Sequence, residues 1–160
     1  MKLAIFDLDG TLANDSQRTP FAVQKRWTEY FNNDRMLADL MHSDGRVFFD
    51  WFHDVLEWET VYLTGRRYNR EVTTRAWLKA HDFPRLPLFM RQNNSHGERL
   101  ADFKLRIIKQ FHEIWDIEEF IIFDDDLAVV EKIQEHYGEK SAVLCTWQPK
   151  PKQMITWGNA

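Results

Sequence analysis

The chain has 160 residues, 44% of them hydrophobic and 29% charged, the balance of one globular domain with a core of its own and not of a disordered chain. Its net charge of −4 argues against strong nonspecific binding to nucleic acid, which rests on neutralising many phosphates with Lys and Arg; brief action on one terminal phosphate needs only a few local cations. No apolar run approaches the ~20 residues of a membrane span, residues 1–20 lack the pattern of a secretory signal, and the single Cys145 cannot form an internal disulfide, so the expectation is a cytoplasmic protein with no membrane association.

A first strand is expected over Lys2–Asp7, an apolar run that ends in a carboxylate. An amphipathic stretch over 21–41 follows, then a loop at 42–46 (His-Ser-Asp-Gly-Arg) and a second strand over Thr60–Leu63. The pattern continues with a helix over 67–81, a strand over Leu86–Met90, a loop over 91–98, a helix over 99–115 and a strand over Phe120–Phe123. A helix over 127–137 places Leu127, Val130, Ile133 and Tyr137 near one face, and the last strand covers Ala142–Thr146. Residues 1–147 read as one domain and 148–160 as a C-terminal tail. Strands that alternate with helices of this length imply βαβ crossovers, hence a three-layer, Rossmann-like α/β fold with a central parallel sheet. The run Phe-Ile-Ile-Phe suits a strand buried on both faces.

In such a sheet, ligands bind beyond the carboxyl ends of the strands, so the residues that follow each strand matter most. After the first come Asp7-Leu8-Asp9-Gly10-Thr11; in extended chain, residues two apart point the same way, so both carboxylates face one place. After the second come Thr64, Gly65 and Arg66, a hydroxyl, a permissive glycine and a fork of donors suited to phosphate oxygens. After the fourth come Asp124, Asp125 and Asp126. Asp126, just before Leu127, is explained as a helix N-cap; Asp124 and Asp125 are not. Four carboxylates at one sheet edge repel one another unless a cation sits among them, and an oxygen-only donor set suits Mg²⁺. The six His show no zinc-ligand spacing, Cys145 reads as a small core residue, and Lys104, by itself, reads as a solvated helix face.

Asp7-Leu-Asp-Gly-Thr-Leu, Leu63-Thr-Gly-Arg, Lys104 and the pair Asp124-Asp125 together resemble the four motifs of the haloacid dehalogenase (HAD) superfamily. Arg18-Thr19-Pro20-Phe21 and Val129-Val130-Glu131 bring the chain closest to the 3′-phosphatase domain of phage polynucleotide kinase/phosphatase, an enzyme of nucleic acid repair; no phosphate-cradling kinase loop is present. The family tends to place an Asp about four residues before the Lys, where this chain has Leu100, with Asp102 two before. The resemblance implies a phosphatase in which Asp7 attacks phosphorus and Asp9 moves the proton. It implies that Thr64, Gly65 and Lys104 hold the phosphoryl group, and that Arg66 and Arg18 grip the phosphate or the adjoining nucleotide. Mg²⁺ is then held by Asp7, Asp9 through its main-chain carbonyl, Asp124 and Asp125.

From Asp9 to Thr64 there are 55 residues and from Thr64 to Lys104 there are 40, intervals expected to be used mostly by core elements. That leaves a minimal cap or none, and an open site that admits a phosphorylated nucleic-acid end or a nucleotide. A phosphatase for free nucleotides or another small ester stays as an alternative, as does a non-catalytic binding or accessory module, against which intact Asp7 and Asp9 speak.

Overall fold

A computed structural model of the chain describes residues 1–150; the remainder of the expected tail, 151–160, lies outside the described residues. The centre is a five-stranded, wholly parallel sheet. Its strands are β1 (Lys2–Phe6), β4 (Glu59–Arg67), β5 (Leu88–Arg91), β6 (Glu119–Asp124) and β7 (Ala142–Leu144), in the order β5-β4-β1-β6-β7. The two remaining strands, β2 (Ala13–Asn14) and β3 (Leu40–Met41), form a small antiparallel ladder of their own.

Alternation along β1 divides the core into two layers. Leu3 and Ile5 join Val61 and Leu63 of β4 on one face, and Ala4 and Phe6 join Tyr62 and Phe123 on the other. The first face is covered by α6 (Leu100–Ile114) and α7 (Leu127–Tyr137) through Ile108, Phe111, Val130 and Ile133. The second is covered by α4 (Ser43–Asp50) and α5 (Glu71–Ala80) through Phe49, Trp77 and Leu78. Each strand is thus apolar on both sides, as a doubly covered parallel sheet requires. Truncating a residue such as Ile108, fully buried in this layer, costs about 2–5 kcal/mol through lost burial and the cavity left behind.

Between β1 and β4 the chain departs from the expected layout in two places. The stretch at 21–41 is three short helices, α1 (Thr19–Val23), α2 (Trp27–Tyr30) and α3 (Asn33–Leu37), and ends in β3. Lys25 breaks the first with a φ of 56°, and Asn32 starts the third by accepting a hydrogen bond from Arg35 N on its side chain. Together with β2 and β3 they form a small excursion above the sheet, a minimal cap that takes part of the interval expected to belong to the core. The second departure is at 42–46, which opens the helix α4 and a π-helical turn, Trp51–Val55, instead of a loop. Gly45 sits inside that helix because a Cβ there would stand 2.2 Å from the Thr11 carbonyl oxygen. The usual cost of helical glycine, about 1 kcal/mol, is offset by close packing of α4 on the loop after β1. Elsewhere the differences are at strand ends: β4 runs on to Arg67, β5 begins at Leu88 just after Pro87, and β7 stops at Leu144.

Candidate active site

Register places the acids. β1 and β6 pair with Phe6 opposite Phe123, and Asp7 N donates to the Phe123 carbonyl at 3.0 Å, so the next residues of the two strands, Asp7 and Asp124, emerge side by side at the carboxyl edge. Asp125 joins them: one oxygen from each of the three carboxylates lies within 4.8 Å of the others, and all three residues are buried. Gly10 makes that possible. It has a φ of 84°, and a Cβ on it would stand 1.9 Å from Asp125 Oδ2, so any other residue is both strained and in collision.

Lys104, on the first turns of α6, is buried and closes the cluster from the side, with Nζ 2.7 Å from Asp7 Oδ1 and 2.6 Å from Asp124 Oδ2. Burial opposes its charge, but the two carboxylates outweigh burial and hold the ammonium protonated. Burial, with the charge of Asp124, pushes the Asp7 carboxyl up to about 7 against the pull of Lys104. Asp125 is pushed well above its ordinary value by burial, opposed by Lys150, whose Nζ lies 3.1 Å from Oδ2. Three buried, crowded carboxylates with an oxygen-only donor set fit a divalent metal ion.

The Asp9 carboxylate does not join them; the expected convergence of four is a convergence of three. It faces two buried arginines instead. Arg18 Nη2 donates to Oδ1 at 2.5 Å, and Arg66 donates through Nε to Oδ2 at 3.0 Å and through Nη2 to Oδ1 at 2.7 Å. Burial works against the charge, but Arg66 and then Arg18 outweigh it and hold Asp9 well below the usual carboxylate range. Arg18, fully buried, is held in turn by Asp39, which accepts from its Nε at 3.0 Å and its Nη2 at 2.7 Å, and by the Tyr30 carbonyl at 2.8 Å from Nη1. It is neither a solvated turn residue nor part of the cleft wall; it lies behind Asp9. Arg66 does reach the cleft, beside Gly65, while its Nη1 donates to Thr74 at 3.1 Å. Thr64 is buried, and its hydroxyl accepts from Arg66 N at 3.2 Å.

Other partners have no local mark in the sequence. Asp39 is separated from Arg18 by helices α1 to α3 and lies just before β3, which pairs with β2, while Trp77 Nε1 donates to its carbonyl at 2.9 Å. Tyr30 Oη donates to Asp15, which also accepts from Gln148 Nε2 at 2.7 Å, and Trp147 Nε1 donates to the Thr11 carbonyl at 2.9 Å. Residues 147–150 therefore pack against the loops that carry the site, including the first residues of the expected tail. Asp126 is the helix N-cap expected of it, accepting from Ala128 N at 2.9 Å. Asp102 turns away to Lys132 at 3.3 Å, whereas Leu100 lines the cleft. That cleft, about 250 Å³, opens over Asp7, Asp9 and Asp124–Asp126 and is walled by Trp27, Phe31, Arg67 and Arg91.

No protein-family profile matches the chain, and no curated protein sequence matches it. Solved structures do. Two structures of the Pnkp1/Rnl/Hen1 complex, one described as an RNA repair complex, contain a chain that is 20% identical, with TM-scores of 0.66 and 0.69. Each match covers 89% of this chain and 42% or 45% of the other, so this chain spans less than half the length of those it matches. A class C acid phosphatase from Bacillus anthracis, solved with tungstate bound, is 15% identical with a TM-score of 0.65, over 99% of this chain and 72% of that one. With its parallel sheet in the order β5-β4-β1-β6-β7 and its acids at the carboxyl ends of β1 and β6, the chain shares the Rossmann-like α/β fold of these structures, the HAD-like fold that the sequence resemblance implies.

Proposed function

We propose that the chain is a Mg²⁺-dependent phosphomonoesterase that works through an aspartyl-phosphate on Asp7 and removes 3′-phosphates from DNA or RNA ends or from nucleoside 3′-phosphates. The observation that carries this is the bridge of buried Lys104 between Asp7 and Asp124, two of the carboxylates that line the cleft at the carboxyl edge of the central strands. Asp7 is the nucleophile: its oxygen bonds to phosphorus as the ester P–O bond breaks, which divides hydrolysis into two easier steps. Lys104 fixes the attacking carboxylate and offers positive charge to the phosphoryl oxygens.

Asp9 moves the proton. The two guanidiniums keep it ionised at rest, and the negative phosphate, once beside it, raises its proton affinity, so that it takes up a proton from the monoanionic phosphate ester or from solvent and passes it to the leaving alkoxide. In the second step the carboxylate form takes a proton from the water that opens the aspartyl-phosphate. Asp7, Asp124 and Asp125 would hold the divalent ion, and the resemblance adds the Asp9 carbonyl; the ion supplies neutralisation of charge on the transferring phosphoryl group.

The likeness of the fold to a chain of an RNA repair complex and the aromatic rings Trp27 and Phe31 in the cleft wall favour a nucleic-acid end over a sugar phosphate. The test is a comparison with Mg²⁺ of a 3′-phosphorylated oligonucleotide, a nucleoside 3′-phosphate, a nucleoside 5′-phosphate and a sugar phosphate. Preference for the first two supports the proposal. Equal use of all four points to a general small-ester phosphatase, and hydrolysis of none points to a binding module.

A further inference from the structure

We infer that Arg67 and Arg91 form a second anion subsite in the same cleft, which takes the phosphate on the 5′ side of the nucleotide whose 3′-phosphate is removed. This rests on the phosphatase proposed above and names a part of the substrate that the catalytic aspartates do not touch.

The two arginines are register partners, opposite each other at the ends of β4 and β5, and both line the cleft. Neither forms an ion pair with a carboxylate among the described residues. Arg67 is held in place by carbonyls: its Nη1 donates to those of Gln92 and Ser95, at 2.9 and 2.6 Å. Arg91 is 8% exposed; its Nη2 donates to the Glu98 carbonyl, and its Nε is buried with no hydrogen-bond partner among the described residues. A buried guanidinium with an idle donor and a like charge beside it costs stability unless an anion is bound there. Burial, then Arg67, opposes its positive charge and lowers its pKa.

Among the described residues no carboxylate pairs with either arginine, although the charge of Glu98 is felt by Arg91. Leu100, where the resembled family tends to have Asp, presents a hydrocarbon side chain to this wall. Glu98 turns its carboxylate to Arg106, at 2.9 Å for both contacts. The pairing is therefore left to a ligand, and forked guanidinium donors match phosphate oxygens. Two sources share that chemistry: a terminal 5′-phosphate and the phosphodiester of a longer chain. Trp27 and Phe31, with ring centroids 6.3 Å apart and 28° between planes, supply an aromatic surface to the same cleft, suited to the nucleoside that joins the two phosphates.

The experiment compares kcat/KM for thymidine 3′-phosphate, thymidine 3′,5′-bisphosphate and a thymidine dinucleotide with a 3′-phosphate, in the parent, Arg91→Gln and Arg67→Gln. The parent should prefer a substrate with the second phosphate by about tenfold or more, which corresponds to about 1.4 kcal/mol, and that preference should fall toward unity in both variants. Preference for both substrates that carry a second phosphate means that either source is accepted; preference for one alone identifies the source. Equal use of all three by the parent, or equal loss on all three in the variants, would overturn the subsite, the latter by placing the arginines on the scissile phosphate. Arg67→Gln retains the test if Arg91→Gln does not fold. Binding of the same compounds to the Asp7→Asn protein by calorimetry reads the subsite without turnover. A parent that hydrolyses nothing but binds the bisphosphate tenfold tighter than the monophosphate refutes the enzyme and keeps the subsite.

Discussion

Arg18 Nη2 stands 2.5 Å from Asp9 Oδ1, and the guanidinium that makes this contact is fully buried. Arg18 orients Asp9 and helps to keep it ionised, so under the proposed mechanism it acts on substrate through Asp9. Arg18→Ala should slow hydrolysis of an aryl phosphate and of a 3′-phosphorylated oligonucleotide together, by about tenfold or more. It also leaves Asp39 buried without its main partner, at a cost of about 3–5 kcal/mol. Arg18→Lys keeps a charge without the fork and should fold better while remaining impaired. Rates on the two substrates, with thermal unfolding alongside, check this; an aryl rate equal to the parent's would move Arg18 from Asp9 to the nucleotide.

Asp7→Asn removes the nucleophile of the proposed mechanism but keeps the shape of the side chain. It should lower kcat by roughly a thousandfold, about 4 kcal/mol of transition-state stabilisation, with an unchanged circular dichroism spectrum. Turnover within tenfold of the parent would show that another group attacks phosphorus.

Lys104→Met leaves Asp7 and Asp124 buried side by side with no ammonium between them. The metal-free variant should lose about 3–5 kcal/mol of stability, and Mg²⁺ should restore more of it than it adds to the parent. Denaturant melts with Mg²⁺ and with chelator measure the difference. Equal effects of Mg²⁺ on the two proteins would remove the ion from this cluster.

Acidity should act in a set direction. Asp7 protonates at about 7 in the fold against an ordinary 3.8, and Asp125 is raised as well. Each therefore favours the folded state most at a pH below the ordinary carboxylate value, and this contribution is lost as pH rises through the folded value. Asp9 is depressed, so its contribution is present above the ordinary value and is lost only in stronger acid. The metal-free protein should melt at a lower temperature at pH 8 than at pH 5.5, and Mg²⁺ should bind more tightly at pH 8, because the ion competes with protons for Asp7 and Asp125. Calorimetric titration at both values tests it; equal affinities would exclude these carboxylates as ligands.

The strands and the acids behind them are legible in the sequence because a buried parallel strand is a short apolar run, and the residue that ends it faces the ligand side. Asp7 and Asp124 follow from that alone, as does the N-cap at Asp126. What stays hidden depends on contacts between distant segments. Asp39 lies 21 positions from Arg18, behind three helices too short to show a period, and the helical Gly45 reads as a loop until the Thr11 carbonyl is seen against it. The Asp9 carboxylate reads as one more acid at the sheet edge because its two arginines are separated from each other in sequence. Arg67 and Arg91 become neighbours only because β4 extends four residues past the expected end at Leu63.

β1 lies in the middle of the sheet with β4 on one side and β6 on the other. Its backbone groups stay unpaired along the β6 side until residues 117 positions downstream of Asp7 have been made, since that is the distance to Asp124. Parallel pairings of such separation form slowly, because a long loop closes before any contact rewards it. During that interval Leu-Ala-Ile-Phe is an apolar strand with an open edge, a template for association with other chains. A nascent chain that ends before β6 should need a chaperone to hold β1, and C-terminal truncations that remove β6 should accumulate as aggregates rather than as partly active protein.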